Sequence, residues 1–96
     1  MLKGEIWMGY AYPLDMSWST EEMTMVVEFF HAVELAYEGG VDRADLMAAY
    51  RTFKEVVPSK MEEKQLGNAF EKVSSYNVYR TMQKAKATEA GRVTMP

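Results

Sequence analysis

The chain has 96 residues, 48% hydrophobic and 26% charged, with no cysteine, one histidine and a net charge of −3. That length makes one domain with a single small core. The composition excludes disulfides, thiolate nucleophiles and cysteine-bound zinc, and one histidine cannot build a multi-histidine metal site. The acidic balance argues against a general nucleic-acid-binding surface. No apolar run approaches the ~20 residues of a membrane span.

Residues 1–7 read Met-Leu-Lys-Gly-Glu-Ile-Trp. Lys3-Gly4-Glu5 can be encoded as AAA-GGA-GAG, a ribosome-binding string, with Ile6 and Trp7 as the spacer before Met8. The expectation is that Met8 is the native start and 1–7 a translated leader outside the native domain. No basic region followed by an apolar stretch marks a signal peptide. The chain therefore reads as a reduced, cytoplasmic domain spanning 8–90. Residues 8–18 hold Tyr10, Tyr12, Pro13 and Trp18 without sustained period. They read as an extended aromatic arm laid on the helices.

A first helix begins at Ser19, with Glu22 completing a capping box and Trp18 and Met23 placed for a hydrophobic staple. It stops at Gly39-Gly40. Its apolar positions run from Met23 to Tyr37 and include Met25, Phe29, Phe30, Ala32, Val33 and Ala36. They span an arc of about 220°, far beyond the ~100° stripe of a one-sided helix. Such a helix needs cover on two sides, from within the chain or from another copy.

The second helix is capped by Asp42, with Asp45 as its expected partner and a Val41–Leu46 staple. Its face is Leu46, Ala49, Tyr50, Phe53, Val56 and Val57, and Pro58 ends it. The third is capped by Ser59 with Glu62. Leu66, Ala69, Phe70 and Val73 form a narrow face, and Gly67 costs about 1 kcal/mol relative to alanine. The fourth runs from about Tyr76 to Thr88 with Val78, Tyr79, Met82 and Ala85 inward. Residues 91–96 read as a frayed tail. No segment sustains period-2 alternation, so no sheet is predicted. The expected architecture is all-α, a compact four-helix domain with antiparallel neighbours and an aromatic arm.

Chemistry-bearing constellations are few. Glu28-x-x-His31 has the spacing of bundle di-iron ligands but falls on the polar stripe and occurs once. Glu34 lies inside the apolar arc, where a buried carboxylate needs a partner, expected to be a lysine or arginine of a neighbouring helix. No nucleophile stands with a plausible base, and no glycine-rich phosphate loop is present. The reading is non-enzymatic, with no cofactor or metal.

Charge is unevenly placed. Residues 1–48 carry a net of −7 and residues 49–96 a net of +4. Two surfaces follow as candidates for interaction. One is the outer half of helix 1, at Met25, Phe29, Ala32 and Ala36. The other is the last helix, at Tyr76, Arg80 and Lys84. The leading function is a protein–protein interaction module with an unidentified protein partner. A homodimer through the helix 1 face, or head to tail through the charged halves, is the alternative to a monomer. The rival function is a nucleic-acid-binding accessory protein using Arg80 and Lys84.

Several stretches together resemble a known family. They include Tyr12-Pro13-Leu14-Asp15, Trp18-Ser19-Thr20-Glu21-Glu22, Phe29-Phe30, Ala49-Tyr50-Arg51, Val57-Pro58-Ser59-Lys60, Glu62-Glu63-Lys64-Gln65 and Tyr79-Arg80. The chain resembles the YktA-like family of short uncharacterised bacterial proteins over nearly its whole length. The resemblance implies a small all-helical fold, a start near Met8 and no assigned activity. It also leads one to expect glycine before Tyr76, where Ser75 stands.

Overall fold

The computed structural model describes residues 11–96. The proposed leader at 1–7, and Tyr10 of the arm, lie outside the described residues. Four helices form: α1 (Thr20–Tyr37), α2 (Arg43–Val56), α3 (Lys60–Ser74) and α4 (Val78–Ala87). Two short strands, β1 (Val41–Asp42) and β2 (Arg92–Val93), complete the chain.

Each helix starts where side-chain oxygens satisfy orphan amides. At α1 the capping box is formed. Glu22 N–H donates to Ser19 Oγ at 3.1 Å, and Ser19 N–H donates to Glu22 Oε1 at 2.8 Å. At α2, Asp42 Oδ1 accepts from Ala44 N–H at 2.8 Å. At α3, Ser59 Oγ accepts from Glu62 N–H at 3.2 Å. The α4 cap is Asn77, whose Oδ1 accepts from Arg80 N–H at 2.7 Å, so the helix starts two residues later than predicted.

α1 is the centre of the fold. Phe29, Phe30, Val33 and Ala36 are fully buried. α2 covers one side, with Phe53 stacked on Phe29 at a centroid distance of 4.6 Å. α3 covers another, with Phe70 stacked on Phe30 at 4.5 Å. The Tyr12 ring of the arm lies 6.1 Å from Phe30 and 6.2 Å from Phe70, within the range of favourable aromatic pairs. Leu14 and Trp18 also pack on the core. The wide apolar arc is thus covered within the chain. Phe29, Ala32 and Ala36 are unavailable to a second copy, and the predicted dimer face at Met25, Phe29, Ala32 and Ala36 is corrected.

A further correction concerns the tail. β2 pairs antiparallel with β1, Val41 opposite Val93 and Asp42 opposite Arg92. Arg43 N–H donates to Gly91 carbonyl at 2.8 Å, and Met95 N–H donates to Ala36 carbonyl at 2.7 Å. Val93 and Met95 are buried. The predicted fraying of 91–96 and the predicted absence of a sheet both fail here. Two-residue strands carry no readable period, and their partners are some fifty residues apart in the chain. The glycine turn before β1 makes the approach feasible. Gly40 has φ +121°, and a Cβ there would lie 2.9 Å from the Arg92 guanidinium. Arg92 Nη2 donates instead to the Gly40 carbonyl at 3.0 Å.

Candidate functional site

The concavity of interest lies between α3 and α4. Its origin is local. Among α3 residues only Phe70 is fully buried, and Val73, predicted inward, is exposed. α4 directs Val78, Thr81, Met82 and Ala85 into the core. That leaves Tyr79, Gln83 and Lys86, at i, i+4 and i+7, on the flank beside α3. Gly67 faces this flank, with Val78 Cβ only 3.6 Å from where its own Cβ would be. A groove of about 490 Å³ lies along this flank. Its floor is Gly67, Val78 and Met82, with Tyr50 of α2 beneath and Lys60, Lys64 and Lys86 on the walls.

Tyr79 was predicted inward, yet it is 72% exposed and lines the groove. On a helical wheel it flanks the apolar stripe. The readable signals were the Tyr79, Gln83, Lys86 spacing and Gly67, which in isolation looks like a helix defect.

The groove's carboxylates are already engaged. Glu63 Oε1 accepts from Lys54 Nζ at 2.6 Å, and its Oε2 accepts from the Tyr50 hydroxyl at 2.9 Å. Burial, then this bond to Glu63, push the Tyr50 hydroxyl up to about 12. Glu71 accepts from Asn77 Nδ2, with both oxygens at 3.3 Å. Lys60, Lys64 and Lys86 are exposed and make no ion pair among the described residues.

The predicted interaction residues do not converge. Arg80 and Lys84 are exposed on the outer ridge of α4, away from the groove lining. Tyr76 is stacked on Tyr37 at 4.5 Å and donates to Glu38 Oε2 at 2.6 Å. That bond, aided by burial, pushes the Tyr76 hydroxyl up to about 12. Met25 is half-buried, and Phe29, Ala32 and Ala36 lie in the core.

The Glu28–His31 spacing also resolves differently. His31 Nδ1 lies 3.2 Å from Glu34 Oε1, and Glu28 is exposed. Glu34 is buried, and its partners include His31 and the Tyr12 hydroxyl, which donates to Oε1 at 2.7 Å. Among the described residues no three histidine or acidic side chains gather as a metal site. No described helix is long and apolar enough to cross a membrane.

These features define a small helical protein with a lysine-walled groove. By comparison with known proteins, the chain belongs to UPF0223, an uncharacterised protein family, whose profile matches residues 9–94. It is similar to a UPF0223 protein of Streptococcus gordonii strain Challis, with 54% identity over 86 residues, covering 90% of this chain and 94% of the relative. UPF0223 proteins of Streptococcus pneumoniae strains CGSP14 and TIGR4 match with the same identity and coverage.

Proposed function

We propose that the chain is a non-enzymatic interaction module acting in the cytoplasm, and that the α3–α4 groove is where it receives a protein partner. The observation that supports this is the groove's form. It is open to solvent, has an apolar floor at Gly67, Val78 and Met82, and carries an aromatic ring, Tyr79, that is 72% exposed. Exposed aromatic rings beside apolar hollows are typical anchors of protein interfaces. Nucleic-acid binding through Arg80 and Lys84 is the weaker reading. The nearby Tyr76 ring is occupied by Tyr37, and the exposed Tyr79 ring lines the groove, which Arg80 and Lys84 do not.

The test is a set of variants on a captured partner. Tyr79→Ala and Gly67→Leu are expected to lose a partner that the wild-type chain retains, while Arg80→Ala and Lys84→Ala keep it. Unfolding curves control for folding. The reverse pattern would move the surface to the outer ridge and defeat the groove reading.

A further inference from the structure

Resting on the groove reading above, we infer that the partner segment is acidic and carries one large apolar side chain. The charge at the groove runs against the charge of the chain. The whole sequence has a net charge of −3, yet three lysines line this hollow. The antiparallel course of the two helices explains the clustering. Gly67 at the middle of α3 meets Val78 at the start of α4, and Lys60 and Lys64 in the first half of α3 line the same groove as Lys86 at the end of α4. Lys60 and Lys64 are also four apart, which puts both ammonium groups on one helix face.

The acids within reach are committed elsewhere. Glu63 is held by Lys54 and Tyr50, and Glu71 by Asn77. The lysines therefore offer their donors outward, to carboxylates of an incoming segment. The floor supplies the second half of the recognition. Gly67 has no side chain, and Met82 is an unbranched side chain that adapts to irregular shapes. The volume of about 490 Å³ has room for one bulky apolar side chain beside Tyr79 together with the backbone that carries it. A nucleic-acid strand fits less well. Asn77 bonds Glu71 without neutralising it, so an unbroken row of phosphates would meet that charge, whereas a peptide can space its carboxylates to avoid it.

The experiment selects a random peptide library on phage against the full chain at low salt. Recovered peptides are then measured against three variants: Lys60→Ala/Lys64→Ala/Lys86→Ala, Gly67→Leu and Tyr79→Ala. The expected result is a set of acidic peptides sharing an aromatic or leucine residue. Their binding should weaken about tenfold in the triple lysine variant and fall with added salt. It should be lost in Gly67→Leu, with Tyr79→Ala as the second groove variant if Gly67→Leu does not fold. Neutral or basic peptides that need the groove but ignore the lysines would overturn the acidic inference and leave the groove reading standing. Peptides indifferent to both groove variants, or no recovered peptide, would overturn both. A single-stranded oligothymidine that outcompetes every peptide, and that depends on the same lysines, would replace the protein partner with nucleic acid.

Discussion

Tyr12 donates a 2.7 Å hydrogen bond to Glu34, which ties the N-terminal arm to a carboxylate buried inside the helical core. The bond has two consequences. It helps satisfy an acid that would otherwise be costly to bury. It also fixes the Tyr12 ring against Phe30 and Phe70, so that the arm covers part of α1. Burial, then the bond to Glu34, hold the Tyr12 hydroxyl well above its ordinary range. Tyr12→Phe keeps the ring and removes the donor. It is expected to cost about 1.5–3 kcal/mol, the usual contribution of a hydrogen bond to a charged group. Urea unfolding of Tyr12→Phe, Glu34→Gln and the double variant measures the coupling. Strictly additive losses would mean that the two side chains do not support one another.

The parts of this fold that sequence made legible are those whose causes are local. Ser19, Asp42 and Ser59 cap their helices because the side chain and the amide it serves are two or three residues apart. The wide apolar arc of α1 called for cover on two sides, from this chain or another copy, and α2, α3 and the arm supply it from within. What sequence left hidden depends on distant partners. The β1–β2 pair joins Val41 to Val93, and two residues per strand give no alternation to count. Glu34 was legible as a buried acid, but the tyrosine hydroxyl that bonds it comes from the arm, 22 residues away, and has no charge pattern to read. The groove was hidden for a similar reason. Gly67 reads as a weakness of α3 until Val78 is seen packed against it.

Phe30 tests the central placement of α1. Its ring is fully buried among Tyr12, Phe29, Phe53 and Phe70. Phe30→Ala is expected to cost roughly 3–5 kcal/mol, from lost burial and the cavity left behind. A loss below about 1 kcal/mol in denaturant unfolding would mean that the site collapses easily or is not enclosed.

Ser75 ends α3 with φ 71°, the only positive φ at a non-glycine position among the described residues. This is where the family resemblance led one to expect glycine. A Cβ makes the left-handed region unfavourable by about 1–2 kcal/mol. Ser75→Gly relieves that strain but also loosens the unfolded chain, so the net expectation is a gain of about 0.5–1 kcal/mol. The backbone N–H of Ser75 still donates to Glu71 carbonyl at 2.8 Å in either case. A rise in melting temperature checks this, and Ser75→Val is expected to lower it.

Tyr50 and Tyr76 predict a loss of stability in alkali. Each hydroxyl is raised from 10.0 to about 12 in the folded chain, Tyr50 mainly by burial and Tyr76 mainly by its bond to Glu38. The folded form therefore keeps a proton that the unfolded form releases first. The stabilisation is whole below pH 10 and is lost as pH rises from 10.0 towards about 12. Unfolding free energy measured across that window should slope downward. Tyr50→Phe should flatten the slope, since it removes one of the titrating hydroxyls while keeping the ring near Phe29. An equal slope in the variant would mean that Tyr50 ionises alike in both states.

Self-association separates the covered α1 from the alternative of an uncovered one. The excess apolar arc first suggested a second copy, but α2, α3, Tyr12 and Met95 meet that surface from within the chain. Among the described residues, the large apolar side chains left exposed are Met16, Leu35, Met61, Val73 and Tyr79, drawn from the arm, α1, α3 and α4. Scattered exposure of this kind does not drive stable association. The opposite charges of the two halves remain as a force between copies, and salt above about 0.5 M would screen it. The expected outcome in sedimentation is one species of 11.0 kDa at low and high salt. A dimer that dissociates on adding salt would indicate head-to-tail contact between the charged halves. A dimer that withstands salt would overturn the monomer, and because α1 is covered its apolar contact would fall on the α3–α4 groove, where Tyr79→Ala should weaken it.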